Sequence, residues 1–189
     1  MIYLLRHGLD DETYIGGWSD VSLTELGIKQ VVETANKIKN SDSITINNII
    51  TSDIKRAIET ANIVSRILEI NNYQVSEFLR EQNKGKLNGM IKTLAEDKYP
   101  NYFGENLTID TIYPEGESLK DLYIRIKNNL EFLSSLNDNT LLITHRGVIN
   151  MLYYILNDIP LDMDKRRFGV DHATLHEFDR KNKSIRKVL

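Results

Sequence analysis

The sequence predicts an α/β fold: a three-layer sandwich in which a mostly parallel central sheet is covered by helices on both faces. Three observations carry this. Short β-branched or apolar runs alternate along the chain with stretches of helical periodicity. One run, Leu141-Leu142-Ile143 closing at Thr144, lacks any polar alternation, the pattern of a strand covered on both sides. The length, 189 residues, suits a single domain with a substantial core, so residues 1–189 are read as one unit.

The opening strand is Ile2-Tyr3-Leu4-Leu5, and it stops at Arg6-His7-Gly8. Ser22 and Glu25 have capping-box spacing for a helix with Ile28, Val31, Val32, Ala35 and Ile38 on its buried face. Residues 46–51 form a second strand. Ser52 or Asp53 is placed to cap an amphipathic helix whose stripe is Ile54, Ala57, Ile58, Ala61, Val64, Ile67 and Leu68. Residues 75–79 read as a third strand ending at Arg80-Glu81. Residues 83–116, with Pro100, Pro114 and several glycines, interrupt the pattern. They predict a short helix at 91–98 within a cap or lid excursion, a loop length more often functional than accidental. A helix from Ser118 turns Leu119, Leu122, Ile126, Leu130 and Leu133 inward, and another spans 148–156. Residues 173–178 and 184–189 pair as a hairpin around Asp179-Arg180-Lys181-Asn182-Lys183.

Composition excludes several functions. A net charge of −3 does not suit general nucleic-acid binding, which needs a basic surface. With no cysteine, disulfides, thiolate catalysis and zinc–cysteine centres are excluded. No apolar stretch approaches the roughly 20 residues of a membrane span. The start lacks the basic region of a secretory signal, so a cytoplasmic location is expected.

In parallel sheets, ligands bind beyond the carboxyl ends of the strands. Those ends here carry Arg6-His7-Gly8, then Ser52-Asp53 with Arg56 one helical turn on, then Glu81, then His145-Arg146-Gly147. Two histidines, two or three arginines and a carboxylate suit phosphoryl transfer. Guanidinium forks match the equatorial oxygens of a transferring phosphoryl group and stay charged at neutral pH. A neutral imidazole can attack phosphorus, and a carboxylic acid can protonate the leaving alkoxide. A glycine beside each histidine would let the main chain approach the anion.

These blocks resemble the histidine phosphatase superfamily, the phosphoglycerate mutase-like family. The resemblance runs in order through Arg6-His7-Gly8, Gly17-Trp18-Ser19-Asp20, Leu23-Thr24-Glu25-Leu26-Gly27, Thr51-Ser52-Asp53-Ile54-Lys55-Arg56-Ala57 with Thr60-Ala61, Leu79-Arg80-Glu81 with Gly85 and Gly89, Pro114-Glu115-Gly116-Glu117-Ser118, and Thr144-His145. It implies that His7 is the phosphorylated nucleophile, that Arg6, Arg56 and His145 bind phosphate, and that Glu81 is the proton donor. Gly17, Arg146 and His172 are further site candidates. It also implies a metal-independent phosphatase without cofactor. The partner would be a small phosphorylated molecule rather than nucleic acid or membrane, and the assembly a monomer or homodimer.

The chain departs from the family pattern in a short loop between Gly8 and Gly17, in Leu9-Asp10 for Glu-Thr, in Arg146 for glycine and in Asn88 for glutamate. Two rivals stay in view, the second of them motivated by the short loop and Arg146. One is a mutase dependent on 2,3-bisphosphoglycerate, disfavoured because only Lys92 and Lys98 are basic between Gly89 and Pro114. The other is a non-catalytic phosphate-binding member of the family. A metal hydrolase built on His7, His145, Glu81 and Asp53 is opposed by the arginines. Ser52 as a plain cap, His176 as a sheet residue and Lys165-Arg166-Arg167 as a solvated patch complete the reading.

Overall fold

The computed structural model describes residues 1–104, 107–164 and 166–189, so Lys165 lies outside the described residues. Its centre is a six-stranded sheet in the order β3-β2-β4-β1-β5-β6, formed by β1 (Ile2–Arg6), β2 (Asn48–Thr51), β3 (Gln74–Val75), β4 (Thr140–Thr144), β5 (Leu175–Asp179) and β6 (Ser184–Lys187). The pairs β3–β2, β2–β4 and β4–β1 are parallel, and the expected terminal hairpin adds β5 and β6 antiparallel.

Strand alternation sorts the core into two layers. Ile2 and Leu4 of β1, with Leu142 and Ile50, face α4 (Leu119–Asn128), α5 (Leu130–Ser135) and α6 (Arg146–Leu156). Tyr3 and Leu5, with Leu141, Ile143 and Ile49, face α1 (Glu25–Lys39) and α2 (Lys55–Leu68). α1 thus follows β1 onto one face while α6 follows β4 onto the other. The two strands are neighbours, so their carboxyl ends diverge into a crevice, the usual ligand position in such sheets. α3 (Lys92–Lys98) lies in the irregular excursion, as the sequence predicts.

Several elements differ from expectation for identifiable reasons. α1 is capped by Thr24, whose side chain accepts from Gly27 N, so no Ser22–Glu25 box forms. Thr24 is fixed there by two hydrogen bonds onto Leu9 O, at 2.8 and 3.0 Å. That tie rotates the helix: Gly27 and Thr34 enter its buried face while Ile28 stays 43% exposed. β2 begins at Asn48 because the amides of Asn47 and Asn48 both turn to Asn139 O. α2 has no side-chain cap, since Asp53 ion-pairs with Arg80 and Ser52 bonds to His145. β3 is only two residues long, and Glu77–Leu79 form a single 3₁₀ turn in place of the longer expected strand. The helix after Ser118 has the cap of the Ser118–Asp121 box but breaks at Asn129, whose side chain donates to Arg125 O. Among the described residues no helix is long and apolar enough to cross a membrane.

His176 is a sheet residue, fully buried between Tyr153 Oη at 2.9 Å and Thr174 Oγ1 at 3.1 Å. Burial first, and Lys187 second, push its pKa down to about 4. His7 and His145 are also held well below the usual imidazole range. All three are neutral when folded but protonate near 6.5 in the unfolded chain. The unfolded state therefore binds more protons below that pH, and stability falls with it. Urea denaturation should show near-constant stability from pH 7 to about 8.5 and a decline from about 6.5 to 4, with His176 alone accounting for roughly 3 kcal/mol at the acid limit. His176→Gln should flatten that slope. Stability unchanged between pH 7.5 and 5 would show that these imidazoles are not held neutral.

Candidate active site

The parallel register Arg6↔Thr144 brings the ends of β1 and β4 level, and His7 N donates to Thr144 O at 3.0 Å. The two histidines therefore leave the sheet side by side, with ring centroids 5.1 Å apart. Gly8 O accepts from His7 Nδ1 at 2.7 Å. A carbonyl can only accept, so Nδ1 carries the proton and Nε2 keeps its lone pair. Burial, then Arg56, His145 and Arg6, hold the ring neutral.

Arg56 reaches the same point from the first turn of α2 and is 2% exposed. Its Nε donates to His7 Nε2 at 3.2 Å, Nη1 to Ser19 Oγ at 3.3 Å and Nη2 to Gly17 O at 2.9 Å. Gly17, with φ +70°, makes that carbonyl available, and a side chain there would strike Asn88 Oδ1. Arg6 donates from Nη1 to Val170 O at 3.0 Å and lies 2.5 Å from His172 Nε2 through Nη2. Burial, then Arg146, lower its pKa to about 10, which leaves it charged at neutral pH. His145 Nε2 lies 2.9 Å from Ser52 Oγ. Among the described residues, Arg6 Nε and His145 Nδ1 are buried without a hydrogen-bond partner. Unmet buried groups beside two guanidiniums mark a place for an anion.

Glu81 is set at the α6 N-terminus, where Gly147 N donates to Oε2 at 3.0 Å and Gln82 N to Oε1 at 2.9 Å. A methyl on Gly147 would lie 2.0 Å from Glu81 Oε1, so this glycine makes room for the carboxylate. Gly8 behaves differently from expectation too. Its absent Cβ faces Gly27 O and Val31 of α1, so it serves helix packing rather than anion approach.

The backbone presenting Glu81 is irregular and is fastened from outside. Arg125 donates to Phe78 O, Arg80 O and Glu81 O at 2.7, 3.0 and 3.2 Å, and is itself paired with Glu117. Trp18 Nε1 donates to Glu81 O at 2.7 Å, and Arg80 stacks over the Trp18 ring. Asn88 ties the same region together, with Oδ1 accepting from Trp18 N and Lys84 N.

Arg6, His7, Arg56, Glu81, Gly17 and Arg146 line one cavity of about 950 Å³. His145 and His172 flank His7, with ring centroids 5.1 and 5.7 Å from its own. Lys84, Lys92 and Arg166 also line it; Arg166 is exposed there, and Arg167 pairs with Asp162, another residue of the lining. The cavity draws basic groups from beyond the Gly89–Pro114 segment, which weakens the sequence argument against a mutase. Sequence reasoning missed Asp10, whose Oδ2 lies 3.4 Å from Arg56 Nε, as well as the roles of Ser52, Arg125 and Glu117. The Gly8-Leu9-Asp10 departure was a signal for Asp10. Arg125 gave none, being one basic residue on an amphipathic helix.

The four-residue metal set is not assembled, because Asp53 is committed to Arg80. His7, Asp10 and His172 place donor atoms within 4.8 Å of one another, but the two imidazole nitrogens there already meet Arg56 and Arg6. Two guanidiniums at that range oppose a divalent cation.

The model of the histidine phosphatase superfamily (branch 1) matches residues 2–189. The chain is 31% identical over 160 residues to phosphoglycerate mutase-like protein 4 of Arabidopsis thaliana, covering 80% of this chain and 69% of that one. It is 32% identical over 173 residues to the probable phosphoglycerate mutase GpmB of Escherichia coli, covering 87% and 78%. The alpha-ribazole phosphatase of Shigella flexneri superposes with a TM-score of 0.80 at 20% identity, over 100% of this chain and 94% of that one, a likeness of fold. The order of the motifs, the sheet that delivers them to one crevice and the full-length match agree: this chain belongs to the histidine phosphatase superfamily.

Proposed function

We propose that the chain hydrolyses a phosphomonoester of a small metabolite through a phosphohistidine on His7. The observation that carries this reading is the ring of His7: Nδ1 is committed to Gly8 O, and among the described residues the lone pair of Nε2 meets only the Arg56 donor. A phosphoryl group entering the cavity takes over that donor and frees Nε2 for in-line attack. Arg6 Nε and His145 Nδ1 supply further contacts to its oxygens. Nε2 bonds to phosphorus as the ester P–O bond breaks, and Gly8 O supports the positive charge that develops on the ring. Glu81, in its acid form, gives its proton to the leaving alkoxide. As a carboxylate it then takes a proton from water, which attacks phosphorus and breaks the P–N bond, returning His7 to its starting tautomer. No step uses a metal.

His7→Ala should lower phosphate release by roughly 10³-fold or more. Rapid quenching of the unaltered enzyme should trap an acid-labile, alkali-stable phosphoryl adduct. A variant retaining a tenth of the activity would remove His7 from the nucleophile role. Assay of 3- and 2-phosphoglycerate interconversion with 2,3-bisphosphoglycerate separates the mutase: interconversion outpacing phosphate release would replace the hydrolytic reading.

Glu81→Gln should slow alkyl phosphates by about 10²-fold or more. It should slow p-nitrophenyl phosphate, whose leaving group needs no proton, by less than about tenfold. Equal losses on both substrates would exclude Glu81 as the acid. Gly147→Ala should reproduce that leaving-group pattern, since the added methyl displaces the Glu81 carboxylate while His7 and the arginines stay in place. A change in KM alone would contradict this account of Gly147.

A further inference from the structure

We propose that His172, partnered by Asp10, is a third imidazole of the phosphate site that takes up a proton when a phosphoryl dianion enters; this rests on the phosphomonoester reading of the same cavity. His172 Nε2 lies 2.5 Å from Arg6 Nη2. A guanidinium only donates, so without an anion this nitrogen is bare. The same nitrogen lies 3.7 Å from Asp10 Oδ1. A carboxylate only accepts, so it can bond to this nitrogen once the nitrogen carries a proton. Nε2 thus stands between one partner that requires it bare and another that requires it protonated.

An entering dianion decides between them. Arg6 Nη1 is held by Val170 O, a fixed main-chain acceptor, whereas among the described residues Nη2 is held only by the imidazole. When phosphate draws Nη2 away, Nε2 is left beside a carboxylate and a dianion, both of which favour its protonation. The ring gains one proton from solvent, and the imidazolium donates to Asp10. This accounts for a carboxylate in the wall of a phosphate cavity: Asp10 would repel the dianion, and the proton on His172 neutralises it. Other charged or titratable groups around the pair include His7, 5.7 Å away ring to ring, Arg56, 3.4 Å from Asp10 Oδ2, the exposed Asp11, coupled to Asp10, and Arg146, Glu81 and Glu12, which act on Arg6. Asp171, next in the chain, is exposed and faces Lys187 instead.

Tungstate, a phosphate mimic that stays a dianion near neutral pH, tests this by calorimetry in buffers of different ionisation enthalpy. The unaltered protein should take up more protons on binding than His172→Gln, by up to one. Its affinity should fall by up to about tenfold per pH unit above the protonation range, with a shallower slope in the variant. Gln can still accept from Arg6 Nη2, so Arg6 keeps a partner. Asp10→Asn, similar in shape but uncharged, should also reduce the uptake. Any proton that His145 takes up is common to all three proteins. Tungstate binding with equal uptake in all three overturns the proposal and leaves the phosphatase reading intact. A protein that binds no tungstate and shows no His7-dependent hydrolysis overturns both.

Discussion

The in-register pairing of β1 with β4 is the constraint on which the site depends. Arg6 sits opposite Thr144, so the next residue of each strand is a histidine and the two rings emerge together. A slip of one residue would turn every β1 side chain to the other face. Ile2 and Leu4 would then leave the layer of α4, α5 and α6, and Tyr3 and Leu5 that of α1 and α2. Because both faces are buried, the core that stabilises the sheet also holds the imidazoles in position.

Burial then sets the electrostatics. Removing Arg56 from water is expensive without compensation, and its guanidinium is met by Gly17 O, Ser19 Oγ, His7 Nε2 and the Asp10 carboxylate. Those partners satisfy its hydrogen bonds but only partly balance the charge of Arg56 and Arg6 together. The remaining positive field, added to desolvation, keeps His7 and His145 neutral. The proposed reaction needs a neutral His7 as nucleophile and a positive cavity for phosphate, and this one arrangement would serve both needs.

The sequence made some of this legible and hid the rest, for physical reasons. Arg6, His7 and His145 could be placed because strand ends are marked by local apolar runs, and Arg56 because one helical turn after a strand end is a short-range relation. Ile28 was misplaced because the rotation of α1 is decided by Thr24 bonding to Leu9, a tertiary contact that periodicity cannot express. Residues 75–79 have strand-like composition, but they lie at a sheet edge, where β3 ends after Val75 and Ser76 N makes a last bond to Thr51 O. Ser52 and Asp53 are good cap residues by type, yet both are claimed by distant partners, His145 and Arg80. Asp10 and His172, more than 160 positions apart, meet only through the sheet.

Glu81 illustrates the other half of the design. The residues proposed to bind phosphate stand on strand ends and a helix turn, where the backbone is already rigid, but Glu81, the proposed acid, follows a single 3₁₀ turn at the sheet edge. Such a segment has little regular hydrogen bonding of its own, so the side chains of Arg125 and Trp18 satisfy its carbonyls and the α6 N-terminus satisfies the carboxylate. Those fasteners come from three parts of the chain: the loop after β1, the helix after the excursion and the helix after β4. The family motif at Glu117 acquires a physical meaning here, because Glu117 orients Arg125 and accepts from Asn83 N. The excursion that walls the cavity meets this scaffold at Asn83, whose N donates to Glu117, so a change there that reshapes the cavity also bears on the residue proposed to protonate the leaving alcohol.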